Sequence, residues 1–218
     1  MTTVLAARPH AGPPVIGQAT TVPAALLHPP MRMRGTVKVV VAGGLGAGKT
    51  SLVHAVSELT PVTVDVTVTD PAMAATRPAT TSAIDFGRLR LRSRAGEVVV
   101  CLFGLPGLGR FWPGLWPDIA TGALGAIVVV DPHDLVGCFG SIDHCEQVGL
   151  PVVVCLNRRD SMPSYTAEQV RAALRVDEAV PVGSCDVRAR RPATTVVASL
   201  VEHALTTRKR PAVAIHSG

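Results

Sequence analysis

The sequence is poor in aromatic residues and in charge. Trp, Tyr and Phe make up 3% of its 218 residues, with a single Tyr, and Asp, Glu, Lys and Arg make up 17%. Few aromatics argue against single-stranded nucleic-acid binding, which stacks bases on aromatic side chains along a basic groove. The net charge of +5 comes from basic residues scattered in small clusters, at Arg88–Arg94, Arg188–Arg191 and Arg208–Arg210. That is the pattern of a solvated face, so no nucleic-acid partner is expected. No apolar run approaches the ~18 residues of a membrane span. No basic segment precedes a continuous apolar stretch, which excludes a secretion signal. There is no Gly at position 2 and no C-terminal C-a-a-X cysteine, so no direct membrane anchor is expected. The five cysteines are odd in number, none spaced C-x-x-C, and no Cys/His cluster has zinc-ligand spacing. They read as reduced core cysteines of a cytoplasmic protein.

What the chain does have is apolar material, 47% of all residues, much of it in short Val-rich runs. These lie at Val37–Val41, Val98–Cys101, Ala126–Val130 and Val152–Leu156, bounded by Gly, Pro or charge. Continuous apolar runs of that length suit the buried strands of a parallel sheet. Strands are expected over 36–42, 84–92, 97–103, 123–130, 152–156 and 180–183. Helices are expected over 50–59, 135–148, 166–175 and 194–206, with Thr166 as a cap. The alternation implies right-handed crossovers and an α/β fold: a mainly parallel six-stranded sheet, helices on both faces and one antiparallel strand. Residues 1–34 hold six prolines and one charge before Arg32, and read as a disordered extension, or as the product of a start site upstream of Met31 or Met33. The folded domain is expected over 35–207, with a basic tail over 208–218. Residues 61–80, rich in Thr, Val and Pro, read as a long mobile connection.

Polar signals fall at the predicted C-terminal ends of strands, where such folds place ligands. Gly43-Gly44-Leu45-Gly46-Ala47-Gly48-Lys49-Thr50 matches G-x-x-x-x-G-K-[ST], followed by Ser51. Glycines at Gly43, Gly46 and Gly48 let the backbone turn its N–H groups onto phosphates, and the following helix presents its positive end to the same anions. Lys49 adds a point charge, and the Thr50 hydroxyl can ligate Mg²⁺. A glycine-rich turn without a ligand is the competing reading. It explains neither the Lys-Thr pair nor the flanking strand and helix.

Asn157-Arg158-Arg159-Asp160 follows the strand at 152–156 and resembles the N-[KT]-x-D base-reading motif. A carboxylate at Asp160 can accept from both the ring N–H and the exocyclic amine of guanine. Adenine lacks that donor pair, and a site with unpaired polar groups rejects it. Asn157 is expected to tie this loop to the base or to the phosphate loop. Arg158 stands where Lys is usual and can also stack on a base. Cys185 and Asp186, in Gly183-Ser184-Cys185-Asp186, follow the last strand, where a backbone N–H would meet the guanine oxygen.

Taken together, VVVAGGLGAGKTSLVHAVSE, TTSAIDFGRLRL, CLFGLPGLGRFW, TGALGAIVVVD and VVVCLNRRD resemble a Ras-superfamily small GTPase of the bacterial conservon type, related to MglA-like GTPases. The resemblance covers about residues 38–205. It implies a Ras-like P-loop NTPase fold, GTP/GDP and Mg²⁺ as ligands, and a regulatory switch in a signalling complex. It also implies protein partners, a roadblock-type regulator and a sensor-kinase-like membrane protein, and through them recruitment to a membrane. By position, Thr81 in Thr-x-x-x-Asp-Phe matches the switch threonine on Mg²⁺, with Thr80 the alternative. Gly107 matches the glycine whose N–H meets the γ-phosphate.

Two positions depart from the family's D-x-x-G-Q. Gly104 replaces the metal-side Asp, and Leu108 replaces the Gln that orients water. Leu has no donor or acceptor. Intrinsic hydrolysis with the Gln in place is already about 10⁻⁴ s⁻¹. The enzyme class is therefore open: a GTPase that is slow or partner-dependent, or a GTP/GDP-binding scaffold that does not hydrolyse. A P-loop ATPase or kinase is the third reading. Arg110, His133 and Asp134 are speculative catalytic candidates. Phe111, Trp112 and Trp116 suit either packing or a partner surface that rearranges with nucleotide.

Overall fold

The computed structural model describes residues 33–62, 65–67, 79–81, 84–93, 96–107, 116, 119–158 and 165–209. Strands are β1 (Met33–Gly43), β2 (Asp65–Thr67), β3 (Ala79–Thr81), β4 (Asp85–Ser93), β5 (Gly96–Gly104), β6 (Ala123–Val130), β7 (Val152–Asn157) and β8 (Val182–Cys185). Helices are α1 (Lys49–Val56), α2 (Phe139–Gln147), α3 (Ala167–Leu174) and α4 (Arg190–Lys209). Six strands form one mixed sheet in the order β4-β5-β1-β6-β7-β8. All neighbours are parallel except β4 and β5.

Alternation along the strands divides the core into two layers. Val39 and Val41 of β1, with Ile127, Val129 and Val153, pack under Leu52 and Val53 of α1 and Val197 and Leu200 of α4. Val40, Ala42, Val128 and Val154 point the other way, onto Ile142 of α2 and Val170 and Leu174 of α3. Every residue of β6 and of β7 is buried, as strands covered on both faces require. All five cysteines are free, and four are buried. Burial pushes the Cys138 and Cys145 thiols up to about 12, so both are inert packing groups.

Several boundaries differ from the sequence reading, each for a local reason. β1 begins at Met33 because its first residues pair with Gly96 and Glu97. α1 stops at Val56: Ser57 Oγ takes the N–H of Arg88 and of Leu59, and the Glu58 N–H donates to Arg88 O. The chain thus leaves the helix to join the edge of β4. The stretch 61–80, expected as a connection, contains β2 and part of β3, which pair antiparallel through Asp65–Thr81, Val66–Thr80 and Thr67–Ala79. The helix expected from 135 opens as one 3₁₀ turn, Val136–Cys138, before α2. β8 lies two residues later than expected. α4 starts at Arg190, with Pro192 in its first turn, where the missing N–H has no helical partner to lose. Thr166 caps α3 as expected, accepting from the Gln169 N–H while Gln169 Oε1 accepts from the Thr166 N–H.

Candidate functional site

The C-terminal ends of β1, β5, β6, β7 and β8 and the start of antiparallel β4 lie along one edge of the sheet. The segment Gly43–Thr50 leaves β1 at the centre of that edge. Its glycines have backbone reasons to be glycine. Gly43, Gly46 and Gly48 have φ of 137°, 68° and 108°, values that L side chains rarely adopt. Space is closed as well. A Cβ at Gly43 would lie 2.1 Å from Val129 O, and one at Gly48 would lie 2.5 Å from Asn157 Nδ2. Gly48 precedes α1 without any side-chain cap, so the first N–H groups of the helix face the loop rather than a capping oxygen.

Lys49 is buried, and its ammonium donates back to Gly43 O at 3.1 Å and Gly44 O at 2.6 Å. It thereby lies folded across the loop mouth. Gly107, just past β5, sits on top: a Cβ there would lie 2.6 Å from Leu45 Cα and 3.0 Å from Lys49 Nζ. On the β6 side, the backbone of Gly137 closes on Gly44, whose Cβ would lie 3.1 Å away. The loop is thus walled on both sides by the segments that follow β5 and β6.

Asn157 ends β7 and is 3% exposed. Its Nδ2 donates to Ala47 O at 2.8 Å, and its Oδ1 accepts from the Val187 N–H at 3.5 Å. One amide therefore joins the Gly43–Thr50 loop, β7 and the turn after β8. The Arg158 N–H donates to Cys185 O at 2.8 Å, which holds the two last strand ends together. Arg158 itself is exposed. Cys185 Sγ lies 3.6 Å from Cys155 Sγ, and that neighbouring thiol together with burial pushes Cys155 well up. The Asp186 carboxylate is engaged by Arg188 in two charge-assisted bonds, at 2.9 and 2.8 Å, and by the Arg188 N–H. Ser51 lies in the first turn of α1 and is half-buried.

Sequence reasoning used Asp85 only as spacing in Thr-x-x-x-Asp-Phe, and the structure gives it a place of its own. It opens β4, is fully buried, and its Oδ2 accepts from Thr50 Oγ1 at 2.7 Å. Its cross-strand partner is Gly104. The cue in the sequence was a carboxylate on an otherwise apolar-and-Arg strand. Thr81 lies in β3, opposite Asp65. Asp160, Leu108, Arg110, Phe111 and Trp112 lie outside the described residues. Trp116 is buried in the α2 layer, its ring 5.4 Å from that of His144. His133 is exposed, and its N–H donates to Asp131 Oδ1 at 2.9 Å, a turn-forming contact. Asp134 Oδ1 accepts the Gly137 N–H.

Among the described residues no group of three or more His, Cys, Asp or Glu is placed to hold a metal by itself, and no helix is long and apolar enough to cross a membrane. No family model matches the chain, and no curated protein matches it significantly.

Proposed function

We propose that the chain is a guanine-nucleotide switch with a Ras-like P-loop fold, of the conservon type, acting in a signalling complex. One observation carries the reading. Gly43–Thr50 is a strand-to-helix loop in which Gly43 and Gly48 are demanded by both φ and space, with Lys49 folded over its mouth. A plain turn has no need for such walls or for a buried lysine bound to the carbonyls of its own loop. An anion fits this cradle: Lys49 can exchange its loop carbonyls for phosphate oxygens, and the opening N–H groups of α1 face the same space.

In this reading the loop, Lys49 and the first turn of α1, including Thr50 and Ser51, bind phosphates. Gly107 brings a backbone N–H to the far phosphate, and its lack of a side chain keeps the mouth open. Asn157 fixes the loop against the base-reading segment, where Asp160 selects guanine and Arg158 covers the base. Cys185 and Asp186 supply the turn that closes the base side. Mg²⁺, when bound, neutralises phosphate charge; Thr50 and Thr81 are its protein ligands in this reading. The nucleotide is GTP or GDP. Leu108 cannot orient water, so hydrolysis is slow or depends on a partner's group. The partners proposed are a roadblock-type regulator and a sensor-kinase-like membrane protein, which would bring the protein to a membrane.

The test is a selectivity swap. Asp160→Asn should abolish preference for GTP over xanthosine triphosphate while leaving the fold intact by circular dichroism. If the variant and the parent bind the two nucleotides alike, the guanine reading is wrong. Phosphate release, measured alone and with a roadblock-type partner, separates a cycling switch from a constitutively loaded scaffold.

A further inference from the structure

We propose that Asp85 is the carboxylate that serves the nucleotide's Mg²⁺, delivered from the strand next to the one that usually carries it, and that Gly104 is glycine to make room for it. This rests on the reading of Gly43–Thr50 as a nucleotide site.

The Asp85 carboxylate is 0% exposed. One oxygen accepts from Thr50 Oγ1, and the other, Oδ1, has no hydrogen-bond partner among the described residues. Among those residues no Lys or Arg forms an ion pair with it. A buried carboxylate with an unsatisfied oxygen is costly, and folds retain such groups where a cation or donor completes them. The residue it touches is the loop threonine. By donating its proton to Asp85, the Thr50 hydroxyl turns its remaining lone pairs away from the carboxylate. A hydroxyl oxygen beside a carboxylate oxygen is a hard donor set, suited to Mg²⁺, which binds few protein groups and keeps several waters. Oδ1 then serves the ion directly or through one of those waters.

Gly104 supplies an independent argument. It ends β5 and faces Asp85 across the antiparallel pair. A Cβ on it would lie 2.9 Å from Asp85 Cβ and 3.0 Å from Asp85 Oδ2. The two positions share one volume, and only one of them can carry a carboxylate. The departure at residue 104 is therefore a relocation of the acidic group, with the strand pairing holding it beside the same threonine.

The experiment measures release of a fluorescent GDP analogue from the full chain as Mg²⁺ is titrated, and again in EDTA. For the parent, Mg²⁺ should slow release. Asp85→Asn should release at the parent's rate in EDTA and need roughly 10–100-fold more Mg²⁺ for the same slowing, the usual size of a loss around a metal site. Moving the carboxylate back, with Asp85→Gly combined with Gly104→Asp, should restore the parent's Mg²⁺ requirement. Manganese bound to the GDP complex, counted by electron paramagnetic resonance, should follow the same order. If the parent retains GDP and Asp85→Asn shows the parent's Mg²⁺ response and Mn²⁺ affinity, Asp85 has no metal role although the nucleotide reading stands. If the parent retains no GDP under either condition, the nucleotide reading falls and this assignment with it.

Discussion

Left-handed glycines at the two ends of the central sheet are glycine for different reasons. At the N-terminal ends of β6 and β7, Gly122 and Gly149 have φ of 72° and 63° with nothing within 4 Å of where a Cβ would stand. They turn the chain in open space. Leu150, Pro151 and Thr207 line a cavity of about 560 Å³ at that end, surrounded by small and apolar side chains. At the C-terminal end, Gly43 and Gly48 combine positive φ with contacts that no side chain could tolerate, and Gly104 and Gly107 are closed by contact alone. Glycine that only turns a chain is a local requirement. Glycine that also admits backbone, amide and ammonium groups from four other segments marks where the fold has been built around something.

Substitutions should separate the two ends, and the largest effect is expected at Gly43. Gly43→Ala combines about 1–3 kcal/mol of backbone strain with about 1–3 kcal/mol of overpacking against Val129. Urea unfolding should show a midpoint far below the parent's or no folded protein. Next comes Asn157→Ala, which strips Ala47 O and the Val187 N–H of their buried partner and should cost about 1–3 kcal/mol. Because the same amide holds the Gly43–Thr50 loop, nucleotide affinity measured by calorimetry should fall in step with stability if that loop binds the phosphates. Gly122→Ala and Gly149→Ala should each cost about 1–2 kcal/mol, the left-handed penalty alone, with nucleotide affinity unchanged. A drop in affinity from either would erase the contrast between the ends.

The smallest effect concerns pH. Desolvation lowers the His203 pKa on α4 below the usual imidazole value of 6.5. A depressed pKa means the unfolded chain binds the proton more readily. Stability is therefore full above about 6.5 and declines as pH falls from there toward the folded-state value. His203→Gln should flatten that decline in urea midpoints measured between pH 5 and 7, leaving nucleotide binding untouched.

Much of this was legible in the sequence because it is local. Four Val-rich runs became four central strands, and β6 and β7, buried on both faces, need apolar residues throughout. The loop was legible because its glycines, Lys49 and Thr50 are contiguous. What escaped depends on partners distant in the chain. One antiparallel strand was expected, but nothing near Asp85 gives the register that sets residue 85 opposite 104, so the carboxylate read as spacing and Gly104 as a loss. The early end of α1 depends on Ser57 meeting the backbone of Arg88, 31 residues away. The last helix was expected from residue 194, yet α4 starts at Arg190, because proline fits the first turn of a helix.

We propose that the crowded end of the sheet is a guanine-nucleotide site. Isothermal titration of the nucleotide-stripped full chain with GDP and with ADP, both in Mg²⁺, tests it most directly. GDP should bind tightly and be preferred over ADP on the order of 10⁴-fold, the size of discrimination seen when the wrong base leaves a polar reader unpaired. Equal affinities would remove the guanine assignment, and no binding of either would overturn the nucleotide reading of the walled loop.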